Sequence, residues 1–480
     1  MSSNQENQKI TPRSQDYAQW YQDIVSSADL AEHSSVKGCM VIKPYGYAIW
    51  ENIQRLLDLE FKKIGIKNAY FPLLIPEKFL KKEAEHVEGF SPELVTVTHV
   101  GGKKLQEPLV IRPTSETIIY DTYSKWIKTH KDLPLLINQW ANIVRWEKRP
   151  RLFLRTTEFL WQEGHTAHRD KKEADKFARK MLNVYQTFDK DVLAIPVYTG
   201  VKSDGEKFAG AAKTYTTEAM MQDGKSLQFG TSHLLGDNFA KVFNIKYTDE
   251  KGESHYVWQT SWGVSTRLVG GLIMAHSDDK GLVLPPNIAP IPVVIVPIWD
   301  NSKDEDNTLK LAKQLKEQLE KKNINVEIDN RDIRPGSKYY HWERRGVPLR
   351  IEIGPRDVES SSVMSVRRDT GEKTKLPFNQ AVEKIQELLV KIQDSLLQQA
   401  QKRRDDNTIE VDNWEDFQKA IKENKFVIAP WKEDSKLEEK IKQDTKATLR
   451  CYFLDQKEGK YTSILSKKPC SQKALFAKNY

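Results

Sequence analysis

The chain has 480 residues and a mass of 55.5 kDa, with 30% charged and 39% hydrophobic residues, which excludes intrinsic disorder and predicts two or three domains. Its 75 basic and 67 acidic residues give a net charge of +8, which permits nucleic acid as a partner without requiring it. The first residues lack the apolar core of a secretory signal, no stretch approaches the ~18 to 20 apolar residues of a membrane span, and three distant cysteines exclude a disulfide framework. We therefore expect a cytoplasmic protein with no membrane partner.

The first predicted elements are a helix and a short strand. Apolar residues recur at helical spacing over residues 45–59, and Gly65 then interrupts the pattern before a strand at residues 68–71 that ends at Pro72. One face of the helix is apolar, so another surface must pack on it and exclude water.

The segment IRPTSETIIYDTYSKWI predicts a second helix with polar residues at its start. Thr114, Ser115 and Glu116 directly precede the helical pattern, so hydroxyls and a carboxylate meet at its first turn. They could hold a polar ligand. The alternative is an ordinary N-cap with its capping partner.

Residues 142–168 predict a hairpin with a basic, proline-containing tip; they read NIVRWEKRPRLFLRTTEFLWQEGHTAH. The first strand covers residues 143–146, from which Arg145 enters the same site as the second strand. Alternate residues of a strand share a face, and this face is too polar for a core. The residues on it are Arg155, Thr157, Phe159, Trp161, Glu163 and His165.

Two other interpretations of this hairpin stay open. The polar face could be a solvated sheet surface with cross-strand charge pairs. Glu163, His165 and His168 could also be metal ligands, although their spacing matches no strong metal motif.

Two later segments add candidate ligand-binding residues. In LQFGTSHLLG, Gln228, Thr231 and His233 surround a glycine that could let the backbone approach a ligand. In TSWGVSTRLVGGLIMAH, small residues lead into Arg267 and a glycine-containing apolar helix. An arginine there needs an anion or a flat π-face as partner, unless it is simply an exposed first-turn residue.

The proline-rich segment LPPNIAPIP, residues 284–292, marks a domain boundary. After it, strands near residues 293–299, 325–328 and 349–354 and a helix near residues 309–322 predict a βαβ unit with a parallel component. An apolar stripe then predicts a long helix that ends in the charged run at residues 402–406. We expect domains at residues 1–285, 286–405 and 406–480.

No phosphate-binding loop or dinucleotide fingerprint occurs, so side chains must hold any nucleotide. The motifs RPTSET, NQWANIVRWE, LRTTEFLWQEGH, EKFAGA, GTSHLLG and LFAKNY resemble those of the class II prolyl-tRNA synthetases of archaeal and eukaryotic type, over residues 17–480. The resemblance implies an α/β (α+β) fold: an antiparallel-sheet class II catalytic core, an α/β anticodon-binding domain and a small carboxyl-terminal α/β domain.

The resemblance also implies a function. The chain is expected to activate L-proline with ATP and Mg²⁺ to prolyl-adenylate and pyrophosphate, and then to transfer proline to the 3′ end of tRNA(Pro), acting as a homodimer. Alternatives are a catalytically silent relative that binds RNA or regulates, and a class II synthetase for threonine or glycine.

The residues that match the family's sites have four expected roles. For catalysis they are Arg145, Arg155 and Arg267. For ATP they are Arg145, Glu147, Arg155, Phe159, Gln228, Thr231 and Arg267. For proline they are Thr114, Glu116, Arg145, Trp161, Glu163, His165, Phe208, His233 and Ser265. For the anticodon they are Lys338, Glu343, Arg350, Glu352 and Arg356.

The carboxyl-terminal unit departs from the family pattern. The positions of a zinc site found in many relatives hold Lys432, Leu437, Ser463 and Ser466, and serine hydroxyls are poor substitutes for zinc-binding thiolates. We expect no zinc site there, with Cys451 as a buried small hydrophobe and Cys470 as a surface thiol. The final residues, 475–480, are expected to dock on the catalytic domain. The predicted core residues are Phe426, Val427, Ile428, Leu449, Tyr452, Phe453 and Leu454.

Overall fold

The computed structural model describes residues 9–84, 94–299 and 302–480. The part before the proline-rich segment holds most of a long sheet, three smaller sheets and the helices packed against them. Its helices and strands are α1 (Tyr17–Ser27), β1 (Ala31–His33), β2 (Met40–Ile42), α2 (Pro44–Lys63), β3 (Lys67–Asn68), β4 (Leu74–Pro76), α3 (Glu77–Ala84), β5 (Thr96–Val100), β6 (Lys103–Ile111), α4 (Glu116–Trp126), β7 (Leu135–Val144), β8 (Glu158–His168), α5 (Lys171–Asp191), β9 (Val197–Val201), β10 (Lys213–Met220), β11 (Ser226–Gly236), α6 (Asn238–Phe243), β12 (Lys246–Thr248), β13 (Ser254–Tyr256), β14 (Trp258–Ser265) and α7 (Arg267–His276).

The long sheet is antiparallel through its centre. Strands β9, β10, β11, β14, β8 and β7 follow one another in that order, each antiparallel to the next, and β3 joins β7 in parallel at one edge. A buried apolar core contributed by α1, α2, α5 and α7 lies against the sheet. The predicted antiparallel-sheet catalytic core is confirmed.

Helix α2 matches the predicted first helix. Pro44 stands at its first position, where the missing N–H costs no helical hydrogen bond, and Gly65 follows its end with a φ of +85°. Ile53, Leu57 and Phe61 are fully buried on its apolar face, within the core of this chain. The cover that this apolar face needs is therefore supplied within the chain.

The hairpin forms from β7 and β8, but β8 begins at Glu158, later than predicted. Residues 151–155 close a tight turn in which the backbone N–H groups of Arg151 and Arg155 each donate to the other residue's carbonyl. Phe153 in this turn has a φ of +62°. Arg155 and Thr157 therefore do not continue the strand face that carries Phe159, and this part of the prediction was wrong.

The next part contains the predicted βαβ unit. In its five-stranded sheet the first strand pairs in parallel with the second and third, and the remaining strands are antiparallel. The predicted long helix is present and packs on this sheet. The elements are β15 (Val293–Pro297), α8 (Ser302–Glu320), β16 (Val326–Ile328), α9 (Pro335–Arg344), β17 (Leu349–Ile353), α10 (Pro355–Glu359), β18 (Ser362–Arg367), β19 (Lys373–Pro377) and α11 (Ala381–Asp406).

The last part adds strands to the catalytic sheet. Residues Tyr452 and Phe453 pair with Val201 and Gly200, so one eleven-stranded sheet runs in the order β20-β21-β25-β22-β9-β10-β11-β14-β8-β7-β3. This continuity was not expected from the sequence. The elements are β20 (Thr408–Glu410), α12 (Trp414–Lys422), β21 (Phe426–Pro430), α13 (Ser435–Thr445), β22 (Ala447–Phe453), β23 (Tyr461–Thr462), β24 (Pro469–Cys470) and β25 (Lys473–Lys478).

The core of this last part is only partly the predicted one. Phe426, Val427 and Leu449 are buried, whereas the other four predicted core residues, Ile428, Tyr452, Phe453 and Leu454, are half-buried. Buried aromatic rings that the prediction omitted complete it; they are Phe417, Trp431 and Phe476. Among the described residues, every helix is too short or too polar to cross a membrane.

Candidate active site

A cavity of about 300 Å³ opens over the centre of the sheet, on the face of β8 that carries alternate polar and aromatic residues. All nine residues predicted for proline line it: Thr114, Glu116, Arg145, Trp161, Glu163, His165, Phe208, His233 and Ser265. Five of the residues predicted for ATP also line it: Arg145, Phe159, Gln228, Thr231 and Arg267. The remaining two, Glu147 and Arg155, lie outside the lining.

The strand register explains why β8 can carry this face. Glu163 lies opposite Gln139 of β7 and Gly263 of β14, and Gly263 adds no side chain to the cavity floor beside it. On the opposite face Gly164 lies against the Trp262 indole, where an added Cβ would fall 2.1 Å from the ring. Gly164 thus lets a large buried ring support the floor from behind.

Glu163 is the centre of a buried hydrogen-bond network. It accepts from the Ser115 hydroxyl at 2.5 Å, from the Gln139 amide, and from His165 Nε2 at 3.0 Å. Burial by itself raises the pKa of Glu163, but the hydrogen bonds from His165, Ser115 and Gln139 outweigh it, and the pKa lies below its ordinary value. For His165, burial lowers the pKa, the Glu163 carboxylate raises it, and the net shift is upward. The pair therefore favours an imidazolium facing a carboxylate.

His233 has the opposite electrostatic setting. Burial, together with the nearby charge of His165, lowers its pKa to about 3, so the ring is neutral. Its Nδ1 lies 2.9 Å from the Thr214 hydroxyl, and its ring centroid lies 4.7 Å from that of Phe208. The two rings, tilted by 33° against each other, form an uncharged aromatic wall of the cavity.

The metal interpretation of the hairpin was wrong for Glu163, His165 and His168. His168 points to the other side of the strand, where its ring nitrogens lie 2.8 Å from the Thr166 hydroxyl and 3.4 Å from the Glu173 carboxylate. In the described part of the chain, the single cluster with metal-ligand geometry is Asp249, Glu253 and His255, on the β12–β13 hairpin.

Arginines collect at the other end of the cavity. Arg145 Nε donates to the Pro113 carbonyl at 2.8 Å, and its guanidinium lies 5.8 Å from the Phe159 ring and 5.4 Å from the Trp161 ring. Burial, aided by the charges of Arg155 and Arg145, lowers the pKa of Arg267 to about 10. This end of the cavity therefore carries surplus positive charge that an anion would balance.

Arg155 reaches this region from outside. Its Nε lies 3.3 Å from the Glu147 carboxylate, and 65% of its side chain is exposed. Exposed ion pairs of this kind contribute little stability, so the side chain can exchange this partner for a ligand at small cost.

Two local expectations are corrected. Ser115 stands at the N-cap of α4, but its hydroxyl makes no capping bond and is used on Glu163 instead, so the ordinary N-cap alternative was wrong. Gly230 does not serve a ligand approach, because a Cβ there would lie 2.8 Å from the Tyr185 ring of α5. The glycine lets helix and sheet pack closely.

The cavity includes residues that the sequence did not single out. Glu206 and Lys207, from the loop between β9 and β10, line it beside Phe208. The motif EKFAGA contained them, but nothing in their spacing pointed to a ligand. Ser261, Val264 and other β14 residues were missed because strand β14 was treated only as the approach to Arg267.

The five anticodon candidates differ in burial and in their partners. Lys338 is 2% exposed, and its ammonium donates to the Asp329 carbonyl at 3.1 Å. Arg350 pairs with Glu352 at 2.9 Å and stacks 4.2 Å from the Tyr339 ring. Glu343 pairs with Lys280 at 3.7 Å, and Arg356 is exposed on α10. Burial makes Lys338 the least accessible of them.

Three family models match the chain. They are described as tRNA synthetase class II core domain (G, H, P, S and T), at residues 97–276, anticodon binding domain, at residues 292–388, and prolyl-tRNA synthetase, C-terminal, at residues 414–480. The chain is also similar to proteins named proline–tRNA ligase along its whole length. The one from Porphyromonas gingivalis is 53% identical, covering 98% of this chain and 99% of the relative. The one from Cytophaga hutchinsonii is 51% identical, covering 98% and 100%.

A solved structure gives the same result in three dimensions. The crystal structure of prolyl-tRNA synthetase from Cryptosporidium parvum, complexed with halofuginone and AMPPNP, superposes with a TM-score of 0.94 at 43% identity, covering 98% of this chain and 99% of that one. The sheet and the two following parts thus occur together in a solved prolyl-tRNA synthetase. The chain belongs to the prolyl-tRNA synthetases, the class II ligases that join proline to tRNA.

Proposed function

We propose that the cavity over β8 binds L-proline and ATP side by side and forms prolyl-adenylate, which the chain transfers to tRNA(Pro). The observation that carries this proposal is the division of one cavity into two ends. One end has carboxylates and flat rings, and the other has arginines beside the half-buried ring of Phe159. These suit a small cationic ring and a polyphosphate respectively.

At the first end the charges support proline as the occupant. The Glu163 charge is balanced by His165, whereas Glu116, which accepts a hydrogen bond from Thr114, stands ready for a secondary ammonium. Trp161, Phe208 and His233 enclose the apolar ring. We assign the same pocket to Glu163, His165 and Ser265, with Arg145 facing the proline carboxylate.

At the second end Arg145, Arg155 and Arg267 meet the phosphates and the base. We propose that Phe159 and Arg267 lie on either side of adenine, with Gln228 and Thr231 nearby. The Glu147 carboxylate beside Arg155 and the phosphate oxygens fit the oxygen-donor chemistry of Mg²⁺, which would there neutralise phosphate charge.

The chemistry needs little proton transfer. The proline carboxylate is already a nucleophile, so the chain must hold it in line with the α-phosphorus and stabilise the charge that builds on the phosphoryl oxygens. The Arg145 guanidinium lies beside both Phe159 of the ATP end and Trp161 of the proline end, so it can contact both substrates. In the second step the terminal ribose 3′-hydroxyl of tRNA attacks the adenylate and AMP leaves.

The same proposal divides the chain into three domains. Residues 1–285 form the catalytic domain, 286–405 the anticodon-binding domain, with Lys338, Glu343, Arg350, Glu352 and Arg356 as candidate base contacts, and 406–480 the carboxyl-terminal domain. We also propose the archaeal and eukaryotic type and a cytoplasmic location. The motifs RPTSET, LRTTEFLWQEGH and LFAKNY support that type by their resemblance to its members.

The test of the function is ATP–pyrophosphate exchange measured with each amino acid in turn. We expect exchange with proline far above threonine and glycine, because only proline combines a secondary ammonium with a small apolar ring. A purified, folded chain that supports no exchange would favour the catalytically silent alternative. Exchange with threonine or glycine in preference to proline would refute the substrate assignment.

We predict a homodimer. The apolar face of α2 is covered within the chain, so it does not provide the dimer interface. Three exposed apolar side chains near the end of β3 support a dimer, because a partner subunit could cover them: Tyr70 is 71%, Trp126 48% and Leu74 41% exposed. Sedimentation should give twice the 55.5 kDa chain mass. A species of one chain mass at micromolar concentration and low salt would contradict this prediction.

We predict that the carboxyl-terminal domain needs no zinc. Cys451 is fully buried between β22 and β9, where burial raises its pKa to about 12, and Ser463 is buried too. Elemental analysis should find no stoichiometric zinc, and the melting temperature should be unchanged by a strong chelator. A fall in melting temperature on chelation would show that a metal stabilises this domain.

A further inference from the structure

The loop that connects β9 to β10 forms one wall of the proposed proline pocket. Glu206, Lys207 and Phe208 from this loop line the cavity. On the catalytic side, the Phe208 N–H donates to the Thr214 hydroxyl at 2.9 Å, and the Phe208 ring packs on His233. The position of this loop therefore sets the size of the pocket.

The outer side of the loop is held by the carboxyl-terminal domain. The Ser203 hydroxyl donates to Glu438 Oε2 at 2.7 Å, and the backbone N–H of Asp204 donates to Glu433. Ser203 is 1% exposed, so its hydroxyl has lost its water and depends on this acceptor. The carboxylates of Glu433 and Glu438 thus accept hydrogen bonds from two adjacent residues of the loop.

Glu438 is itself fixed to the core of its domain. Its Oε1 accepts from the indole N–H of Trp431 at 3.3 Å, and Trp431 is buried with its ring 5.5 Å from that of Phe476. The side chain therefore bridges a rigid aromatic core and the loop. A movement of the carboxyl-terminal domain would be transmitted to Ser203.

A second contact fixes the base of the loop. Lys202 Nζ lies 2.6 Å from Glu218 Oε1, and Arg450 of β22 lies 2.9 Å from Glu218 Oε2, with all three side chains buried. Burial raises the pKa of Glu218, but the charges of Arg450 and Lys202 outweigh it and lower the value to about 2. Removal of one member would leave buried charge uncompensated and destabilise the whole chain. The outer contact is the better place for a test.

We propose that Glu438 of the carboxyl-terminal domain is a positioning residue for the proline pocket, acting through Ser203 on the loop that carries Phe208. It touches neither substrate and holds the pocket wall in its binding position. The inference rests on the proposed placement of proline beside Phe208. It gives the carboxyl-terminal domain a role in substrate affinity.

The test compares exchange kinetics of four variants with the unmodified chain. We expect Ser203→Ala and Glu438→Ala each to raise the KM for proline by about three- to tenfold, the range for one lost hydrogen bond, with kcat and the KM for ATP within about twofold. Glu438→Gln should restore the KM for proline, since the amide oxygen can accept from the Trp431 indole N–H while the amide N–H donates to the Ser203 hydroxyl. Glu439→Ala, one residue along on the exposed side of α13, is the matched control and should change nothing.

A binding measurement separates affinity from catalysis. The proline concentration that gives half of the maximal thermal stabilisation should rise in the same ratio as the KM. An unchanged KM for proline in folded Ser203→Ala and Glu438→Ala would overturn the inference, and so would an equal rise in the KM for ATP, which would indicate a general structural defect. Phe208→Ala tests the proposed proline pocket separately from the action of Glu438. If this variant leaves the KM for proline unchanged, proline does not bind beside Phe208, and the proposed pocket is wrong.

Discussion

Arg145→Ala should lower proline-dependent ATP–pyrophosphate exchange by about a hundredfold or more, which corresponds to the ~3 kcal/mol expected when a charge-stabilising donor is lost. The side chain lies between the two ends of the cavity, anchored by the Pro113 carbonyl and facing the rings of Phe159 and Trp161. Its loss removes the group that can contact both substrates. The measurement is kcat/KM for exchange at saturating concentration of the other substrate.

The control is Arg149→Ala, an exposed arginine at the tip of the same hairpin, which should retain exchange. Arg155→Ala is the informative companion, because Arg155 pairs with Glu147 outside the cavity lining. If exchange falls by a similar factor in Arg155→Ala, the Arg155 side chain leaves Glu147 and binds the phosphates of ATP. Near-normal exchange in Arg145→Ala would remove this residue from the reacting centre, and the same result in Arg155→Ala would remove Arg155 from the ATP site.

Arg267→Ala should lower kcat/KM for ATP by about a hundredfold and leave the melting temperature of the ligand-free chain unchanged or higher. Burial and two neighbouring arginines already disfavour its charge in the folded state, so removal relieves repulsion while it deletes the proposed partner of adenine. The stabilisation that ATP gives in a thermal melt should be lost as well. Proline binding should be affected far less.

Two variants sharpen this result. Arg267→Lys keeps the charge but lacks the planar guanidinium, so it should recover only part of the ATP affinity. Arg169→Ala removes an arginine that pairs at the surface with Glu250 and should leave the KM for ATP unchanged. If Arg267→Ala has a normal KM for ATP, the residue is a first-turn arginine without a role in binding.

The parts of the site that could be predicted from sequence are those whose chemistry is local. The alternation along β8 placed Phe159, Trp161, Glu163 and His165 on one face, and the structure confirms it. The order of apolar runs also predicted the βαβ unit after residue 292. In both cases the period of the side chains is fixed by the backbone over a few residues.

The parts that could not be predicted depend on tertiary packing. The residue at which β8 begins is set by the turn at residues 151–155. Because Arg155 belongs to this turn, it does not lie on the strand face. The hydrogen-bond network of Glu163 includes Ser115 and Gln139, which are distant from it in sequence. Gly230 looked like a site for a ligand, but its missing side chain accommodates Tyr185. No local pattern distinguishes these cases.

The eleven-stranded sheet has a consequence for how the chain is made. The end of strand β22, Tyr452 and Phe453, pairs with Val201 and Gly200 at the edge of β9, yet more than two hundred residues separate the two strands in the chain. During synthesis on the ribosome, backbone N–H and C=O groups at this edge of β9 therefore stay unpaired until β22 has been made. Such an edge can pair with another nascent chain. The final segment of this chain thus also acts as the closing strand that ends the period of exposure to aggregation.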